Sequence, residues 1–186
     1  MENIFFDRKE LKYCGKNVII GKTVRIRYPE LVEIGDNCII DDFTYISTAL
    51  KLNGYNHISS GCKLIGGKNC LIEFNSFSTL APNVVLSAGS DDYLSGIATP
   101  LVDIRFKGKV QYGNLKIGKH CIVGSGSVIL PNCDLEDGAS VGALSLVNRK
   151  LPAWGLYAGI PVKFLKERDR MKINELEIEF LKNSII

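Results

Sequence analysis

Aliphatic residues recur at every sixth position along most of this 186-residue chain. In the C-terminal half the series is unbroken and runs through Ile117, Val123, Ile129, Leu135, Val141 and Val147. A second series of small or apolar residues precedes it by two positions. An amphipathic helix needs a spacing near 3.6 and a surface strand a spacing of about 2, so neither explains the pattern. A period of six predicts a solenoid of short strands and corners.

The same period covers the N-terminal half. It begins at Cys14, continues from Ile34 to Leu64, and resumes after a four-residue slip from Phe74 to Leu86. Three six-residue units close one triangular coil, and the aliphatic side chain of each unit points inward. Stacked coils share one continuous core at about 4.8 Å per coil. About nineteen units are visible, which predicts about six coils in a single domain.

Two segments depart from this period. Residues 87–114 carry no repeat, and we expect them to project from the solenoid as a loop that builds a binding cleft rather than as a tolerated insertion. Beyond Pro161, Ile173, Leu176 and Phe180 have helical spacing. We therefore expect a solenoid over residues 1–162 and a C-terminal helix over 163–186 that packs on the exposed end of the solenoid, within the same domain.

Composition, charge and the cysteine pattern limit the classes of function and partner that the chain can have. The chain has 23 basic and 20 acidic side chains and a net charge of +3, too balanced for a nucleic-acid partner. We expect a cytoplasmic protein, because the chain has neither a signal-peptide core nor a transmembrane run of about 18 apolar residues. The six cysteines form no C-x-x-C pair and fall on inward phases, so we interpret them as buried small hydrophobes. Neither a P-loop nor a Rossmann glycine fingerprint is present.

The C-terminal segment carries a family signature. Residues 117–168 read IGKHCIVGSGSVILPNCDLEDGASVGALSLVNRKLPAWGLYAGIPVKFLKER. Over about fifty residues this run resembles the hexapeptide-repeat acyltransferases, and the weaker repeats extend the likeness from Cys14 onward. The resemblance implies an all-β, left-handed parallel β-helix, although parallel crossovers are generally right-handed. It also implies a homotrimer with active-site clefts between subunits.

Acyl transfer requires a base to take the proton of the nucleophile. The chain has two histidines. His57 directly precedes the inward Ile58 and should point outward from a strand, where the resemblance places active sites, so we take it as the general base. A solvent-facing or interface role without chemistry is the alternative. His120 lies nearer a corner, and we interpret it as structural. The two histidines form no metal-ligand cluster, so no metal is required.

The projecting loop offers candidate substrate-binding residues. In the galactoside-type branch of the family the catalytic histidine lies in this loop, where this chain has Ser90, Asp91, Asp92 and Tyr93 instead. The segments NHISSGCKLIGG and SAGSDDYLSG resemble instead a branch among bacterial surface-polysaccharide and nucleotide-sugar acetyltransferases. We expect Asp91, Asp92 and Tyr93 to bind the substrate, with the two aspartates contacting sugar hydroxyls or orienting His57. A polar turn is the alternative for the aspartates.

The resemblance also implies a site for the co-substrate, acetyl-CoA, along the last coils. Ser125, Gly142 and Ala143, in VGSGS and VGALS, would meet the pantetheine arm. Asn148 and Arg149 stand where relatives carry Thr-Lys, and Lys163 and Lys166 lie in the segment that corresponds to the AGNPAK-type tail of relatives. These four residues would bind the phosphates of CoA.

These observations predict an acetyl-CoA-dependent enzyme that O-acetylates a hexose in lipopolysaccharide, O-antigen or capsule biosynthesis. One alternative is N-acetylation of a nucleotide-linked amino sugar. Another is a catalytically silent scaffold, which the intact VGALS and AGIPVK segments disfavour.

Overall fold

Successive coils of the chain stack residue on residue. The computed structural model describes residues 2–183 and pairs parallel strands so that inward side chains form columns. One column runs through Cys14, Ile34, Leu52, Phe74, Ile117, Leu135 and Leu151. The solenoid thus has about seven coils rather than six. The six-residue spacing did not predict the last coil, because Leu151 follows Val147 by four residues instead of six.

The strands are short except where two of them bend around a corner. In chain order they are β1 (Tyr13–Cys14), β2 (Ile19–Ile20), β3 (Arg25–Ile26), β4 (Val32–Ile34), β5 (Ile39–Ile40), β6 (Tyr45–Leu52), β7 (His57–Ile58), β8 (Lys63–Phe74), β9 (Thr79–Leu80), β10 (Val85–Ser87), β11 (Gly89–Ser90), β12 (Gln111–Tyr112), β13 (Asn114–Ile117), β14 (Ile122–Val123), β15 (Val128–Ile129), β16 (Ser140–Val141), β17 (Leu146–Val147), β18 (Gly155–Ala158) and β19 (Lys163–Glu167). Short 3-10 turns cover Arg8–Glu10, Pro29–Leu31 and Ile104–Phe106, and one α-helix, α1, covers Arg170–Asn183. The match to left-handed β-helix acetyltransferases confirms the predicted fold class.

The core is the continuous interior of the solenoid. Inward aliphatic residues such as Ile58, Leu80 and Val123 are fully buried. Five cysteines are buried as free thiols, and Cys14, in the first coil, is partly exposed. The prediction that all six face the interior therefore matches the structure.

One corner of the solenoid has a column of aromatic residues at positions whose backbone conformation favours glycine. Tyr55, Phe77, His120 and Trp154 all have positive φ angles between 52° and 61°, a region that L-residues rarely adopt. Their rings are neighbours on successive coils, with centroids 4.7 Å apart for Tyr55 and Phe77 and 5.5 Å apart for Phe77 and His120. Ring packing between coils offsets the backbone strain at these positions.

The loop and the C-terminus complete the fold. The segment predicted to project leaves the solenoid through the antiparallel pair β11 and β12. The C-terminal region differs from the expectation of a helix from residue 163. Residues Lys163–Glu167 form β19, which pairs antiparallel with β18 and covers the free edge of that face of the last coil. Helix α1 does not cap this end; it turns back along the aromatic corner, where Phe180 contacts Tyr55 and Phe77.

Candidate active site

His57 points outward from the middle of a solenoid face. Strand β7 lies between β5 and β9, so that His57 is flanked by Ile39 on one side and Thr79 on the other. The next residue, Ile58, is fully buried, and alternation along a strand turns His57 to the opposite side. The imidazole is 44% exposed and can therefore meet a substrate.

An aspartate in the preceding coil holds this imidazole. Nε2 of His57 lies 2.8 Å from Oδ2 of Asp41, whose side chain is 43% exposed. The backbone of Asp41 is fixed by the hydrogen bond from its N–H to the carbonyl of Ile58, at 2.9 Å. An ionised carboxylate only accepts hydrogen bonds, so Nε2 carries the proton and donates a hydrogen bond to Asp41. Among residues 2–183 no group hydrogen-bonds to Nδ1, which is then left with a free lone pair, as a general base requires.

Within the described part of one chain, the loop aspartates do not meet this histidine. Within residues 2–183, no hydrogen bond or ion pair joins His57 to Asp91 or Asp92, and the residue that orients the histidine is Asp41. The sequence contains a signal for this pair. The pairing of β5 with β7 places Ile39 beside His57, and Asp41 follows two residues later at the same corner.

A shallow, open cavity of about 350 Å³ lies beside His57. One wall comes from the solenoid and the other from helix α1. Its lining residues are Asn37, Ile39, Tyr55, Asn56, His57, Phe77 and Phe180. The side of the cavity away from His57 is thus largely apolar and aromatic.

Asp92 holds the projecting loop together. Its carboxylate accepts hydrogen bonds from the N–H groups of Leu94 and Ser95, from the hydroxyl of Ser95 and from the N–H of Lys109. These donors, the N–H of Lys109 foremost, keep the pKa of the Asp92 carboxyl well below its usual range. All four contacts are internal to the loop, so the structure favours the turn interpretation for this residue.

The other two loop residues differ from Asp92. The carboxylate of Asp91 forms a long ion pair with Lys107, at 3.7 Å, and is 42% exposed, and Tyr93 is 92% exposed. Both side chains project from the loop and are available to a ligand.

The predicted pantetheine residues converge on a single corner in consecutive coils. The N–H of Leu144, which follows Ala143, donates to the carbonyl of Ser125 at 2.9 Å. The coils approach so closely that a Cβ atom on Gly124 would lie 2.4 Å from the backbone nitrogen of Ala143. Glycine is therefore required there, and Ser125 and Ala143 present an exposed surface without large side chains.

The predicted phosphate-binding residues are spread over the end of the solenoid. Lys163 and Lys166 are exposed on β19, opposite Ala158 and Leu156 of β18. Asn148 is also exposed. The guanidinium of Arg149 differs, because its Nη2 donates to the carbonyl of Val162 at 2.9 Å and so tethers the chain end.

The thiols are unsuited to nucleophilic catalysis. Burial raises the pKa of Cys62 to about 11 and that of Cys121 to about 12. A thiol reacts as its thiolate, which such values suppress at neutral pH.

His120 attaches helix α1 to the solenoid. Its Nε2 lies 2.8 Å from Oε2 of Glu177, and the side chains of both residues are nearly buried. Sequence reasoning missed this pair because Glu177 is 57 residues further along the chain. Residues 2–183 contain no group of three or more His, Cys, Asp or Glu side chains that could hold a metal ion. None of the helices in the same range is long and apolar enough to cross a membrane.

Known proteins resemble the chain over its full length. The dTDP-4-amino-4,6-dideoxy-D-glucose acyltransferase of Escherichia coli is 31% identical over 191 residues, which cover 100% of this chain and 96% of the relative. The crystal structure of AntD, an N-acyltransferase from Bacillus cereus in complex with dTDP and 3-hydroxybutyryl-CoA, matches with a TM-score of 0.90 and 34% identity, over 99% of this chain and 100% of AntD. A maltose O-acetyltransferase from Clostridium difficile 630 is 22% identical with a TM-score of 0.59, over 88% of this chain and 73% of its own, a likeness of fold alone. No protein-family model matches the chain.

Proposed function

The chain belongs to the hexapeptide-repeat acyltransferase family, and on that premise we propose that it transfers an acyl group from an acyl-CoA to the amino group of a dTDP-linked amino-deoxy sugar. The observation that carries the proposal is the full-length likeness to two enzymes of this kind, an acyltransferase of dTDP-4-amino-4,6-dideoxy-D-glucose and the N-acyltransferase AntD. N-acylation thus replaces O-acetylation of a hexose as the favoured reaction.

The His57–Asp41 pair supports this chemistry. The free amine attacks the carbonyl carbon of the thioester, and the carbon–nitrogen bond forms while the nitrogen still carries a surplus proton. Nδ1 of His57 takes that proton, and the charge of Asp41 stabilises the resulting imidazolium. The carbon–sulfur bond then breaks, and the imidazolium returns the proton to the departing sulfur. The products are the amide and free CoA thiol.

A trimer would bring the loop to the histidine. Asp91 and Tyr93 make no hydrogen bond or ion pair with His57 within residues 2–183 of one chain. Large apolar side chains on the same loop, including Leu94 and Leu101, are almost fully exposed. Exposed apolar surface of this kind is typical of subunit contacts. We place Asp91 and Tyr93 of one subunit against the sugar bound beside His57 of its neighbour, in a closed three-fold assembly.

The acyl-CoA would lie along the corner formed by Ser125, Gly142 and Ala143. The small side chains there leave room for the pantetheine arm. Exposed Lys163 and Lys166 would face the CoA phosphates, with Asn148 beside them, whereas Arg149 would act mainly through the chain end that it tethers. We place the reaction in the cytoplasm, because neither highly charged substrate can cross a bilayer unaided.

The test compares two acceptors that differ in one group. Release of CoA thiol from acetyl-CoA is measured with dTDP-4-amino-4,6-dideoxyglucose and with dTDP-6-deoxyglucose, which carries a hydroxyl at the same carbon. The proposal predicts turnover with the amine and an acylated product whose linkage resists mild alkali, as an amide does. Preferential turnover of the hydroxyl sugar would instead support O-acetylation as the reaction. If a folded trimer turned over neither sugar, the catalytically silent scaffold would be favoured.

A further inference from the structure

Helix α1 supplies one wall of the cavity that contains His57. Phe180 lines this cavity together with Ile39 and Phe77 of the solenoid. Its ring meets Tyr55 edge-on with centroids 5.5 Å apart, and Phe77 edge-on at 6.0 Å. The helix therefore places an apolar surface next to the proposed general base.

A cluster of polar contacts around Glu177 fixes the helix in this position. Oε1 of Glu177 accepts from Nζ of Lys119 at 2.5 Å, and Oε2 pairs with Nε2 of His120 at 2.8 Å. The side chains of Glu177 and His120 are only 12% and 11% exposed. Phe180 follows Glu177 by three residues and so shares its helix face. The position of Glu177 thus sets the position of the Phe180 ring.

The fold does not need the helix to terminate the solenoid. Strand β19 already pairs with β18 and so covers the free edge of one face of the last coil. None of the described residues of α1 is fully buried, so the helix contributes little to the core. Its best-defined contacts with the solenoid, through Glu177 and Phe180, lie beside the His57 cavity.

We propose that Phe180 determines substrate specificity and that Glu177 is its positioning residue. Together they hold an apolar wall that recognises an apolar substituent next to the reacting atoms. Two parts of the substrates have this chemistry: the acyl chain beyond the thioester carbonyl and the methyl group of a 6-deoxy sugar. The inference rests on the proposed function and identifies the part of the substrate that the cavity selects.

The test measures ratios of kcat/KM rather than activity alone. One arm compares butyryl-CoA with acetyl-CoA on dTDP-4-amino-4,6-dideoxyglucose. The other compares this sugar with its 6-hydroxy counterpart, using acetyl-CoA. The variants are Phe180→Ala, Phe180→Leu and Glu177→Gln. Ile178→Ala is the matched control, because Ile178 lies on the same helix, is 56% exposed and is not among the residues that line the cavity.

We expect Phe180→Ala to change one of the two ratios by about tenfold or more, since a pocket discriminates a single methylene by about 10- to 200-fold. Phe180→Leu and Glu177→Gln should shift the same ratio in the same direction by less, and Ile178→Ala should leave both ratios unchanged. Ratios that stay within about twofold of wild type in both arms, for folded Phe180 variants, would overturn the inference while leaving the proposed function intact. Absence of turnover by the wild-type trimer would reject the proposed function, and this inference with it.

Discussion

Nε2 of His57 lies 2.8 Å from Oδ2 of Asp41, a residue of the preceding coil that is 16 positions earlier in the chain. The stacking of coils creates this pair, because β5 and β7 are adjacent strands of one face. The pair fixes the tautomer of the histidine and, in the proposed reaction, would supply a negative charge beside the imidazolium.

Replacing Asp41 tests the orienting role. Asp41→Asn keeps the shape of the side chain but removes its charge, so we expect kcat to fall by about tenfold or more with little change in the KM for acyl-CoA. Steady-state kinetics on the amino-sugar nucleotide measures this. Glu30→Gln is the control, since Glu30 is exposed and its ion pair within residues 2–183, with Lys68, is long, at 3.7 Å. An unchanged kcat in Asp41→Asn would mean that the pair has no catalytic role.

Asp92 should control the order of the projecting loop. Asp92→Ala removes the acceptor of four internal hydrogen bonds, and we expect proteolysis between residues 91 and 110 to become about tenfold faster or more. Asp103→Ala, which removes the cap of one 3-10 turn in the same loop, should have a smaller effect. Equal cleavage rates in the two variants would contradict the role of Asp92.

The same carboxylate predicts a dependence on pH. Its pKa is lowered in the folded loop, so its contribution is present above its usual value near 3.8 and is lost as the pH falls through the lower folded value. Loop proteolysis by an acid-stable protease should therefore accelerate at strongly acidic pH in wild type and depend less on pH in Asp92→Ala. Parallel acid profiles in the two proteins would contradict this assignment.

The cysteines should be unreactive in the folded protein. Five of the six are buried, and burial raises the pKa of Cys62 and Cys121 to about 11 and about 12. We expect a disulfide reagent to titrate about one thiol, that of the partly exposed Cys14, in native protein, and all six in denaturant. Rapid native reaction of several thiols would show that the coils open readily.

A charge placed among the exposed apolar residues of the loop should weaken the association of subunits. Leu101→Glu places a charge on an almost fully exposed apolar position of the loop. We expect sedimentation to show a trimer for wild type and smaller species for the variant at micromolar concentration. Lys109→Glu, a charge change on the same loop, is the control. A wild-type monomer would contradict the placement of the site between subunits.

The sequence predicted the solenoid well, because each inward residue repeats the same local environment. The six-residue spacing placed Ile58 in the core and His57 on the outer surface, and the structure agrees. It did not predict β19, whose residues are all exposed and whose pairing depends on backbone hydrogen bonds without a side-chain pattern.

The site was predicted only in part, because its contacts join distant residues. The pair of His120 and Glu177 depends on where helix α1 turns back, which no local pattern encodes. Asp91 and Asp92 are adjacent and chemically identical, yet only Asp92 is enclosed by backbone donors. Composition and spacing cannot separate a carboxylate that binds a ligand from one that holds a turn.

The most direct test of the central claim is the kcat of His57→Ala for acyl transfer to dTDP-4-amino-4,6-dideoxyglucose, measured by release of CoA thiol. The account predicts a loss of about a hundredfold or more, with the trimer and CoA binding unchanged, because Nδ1 of His57 takes the proton of the attacking amine. A kcat within about threefold of wild type would contradict it and assign the proton transfer to another group.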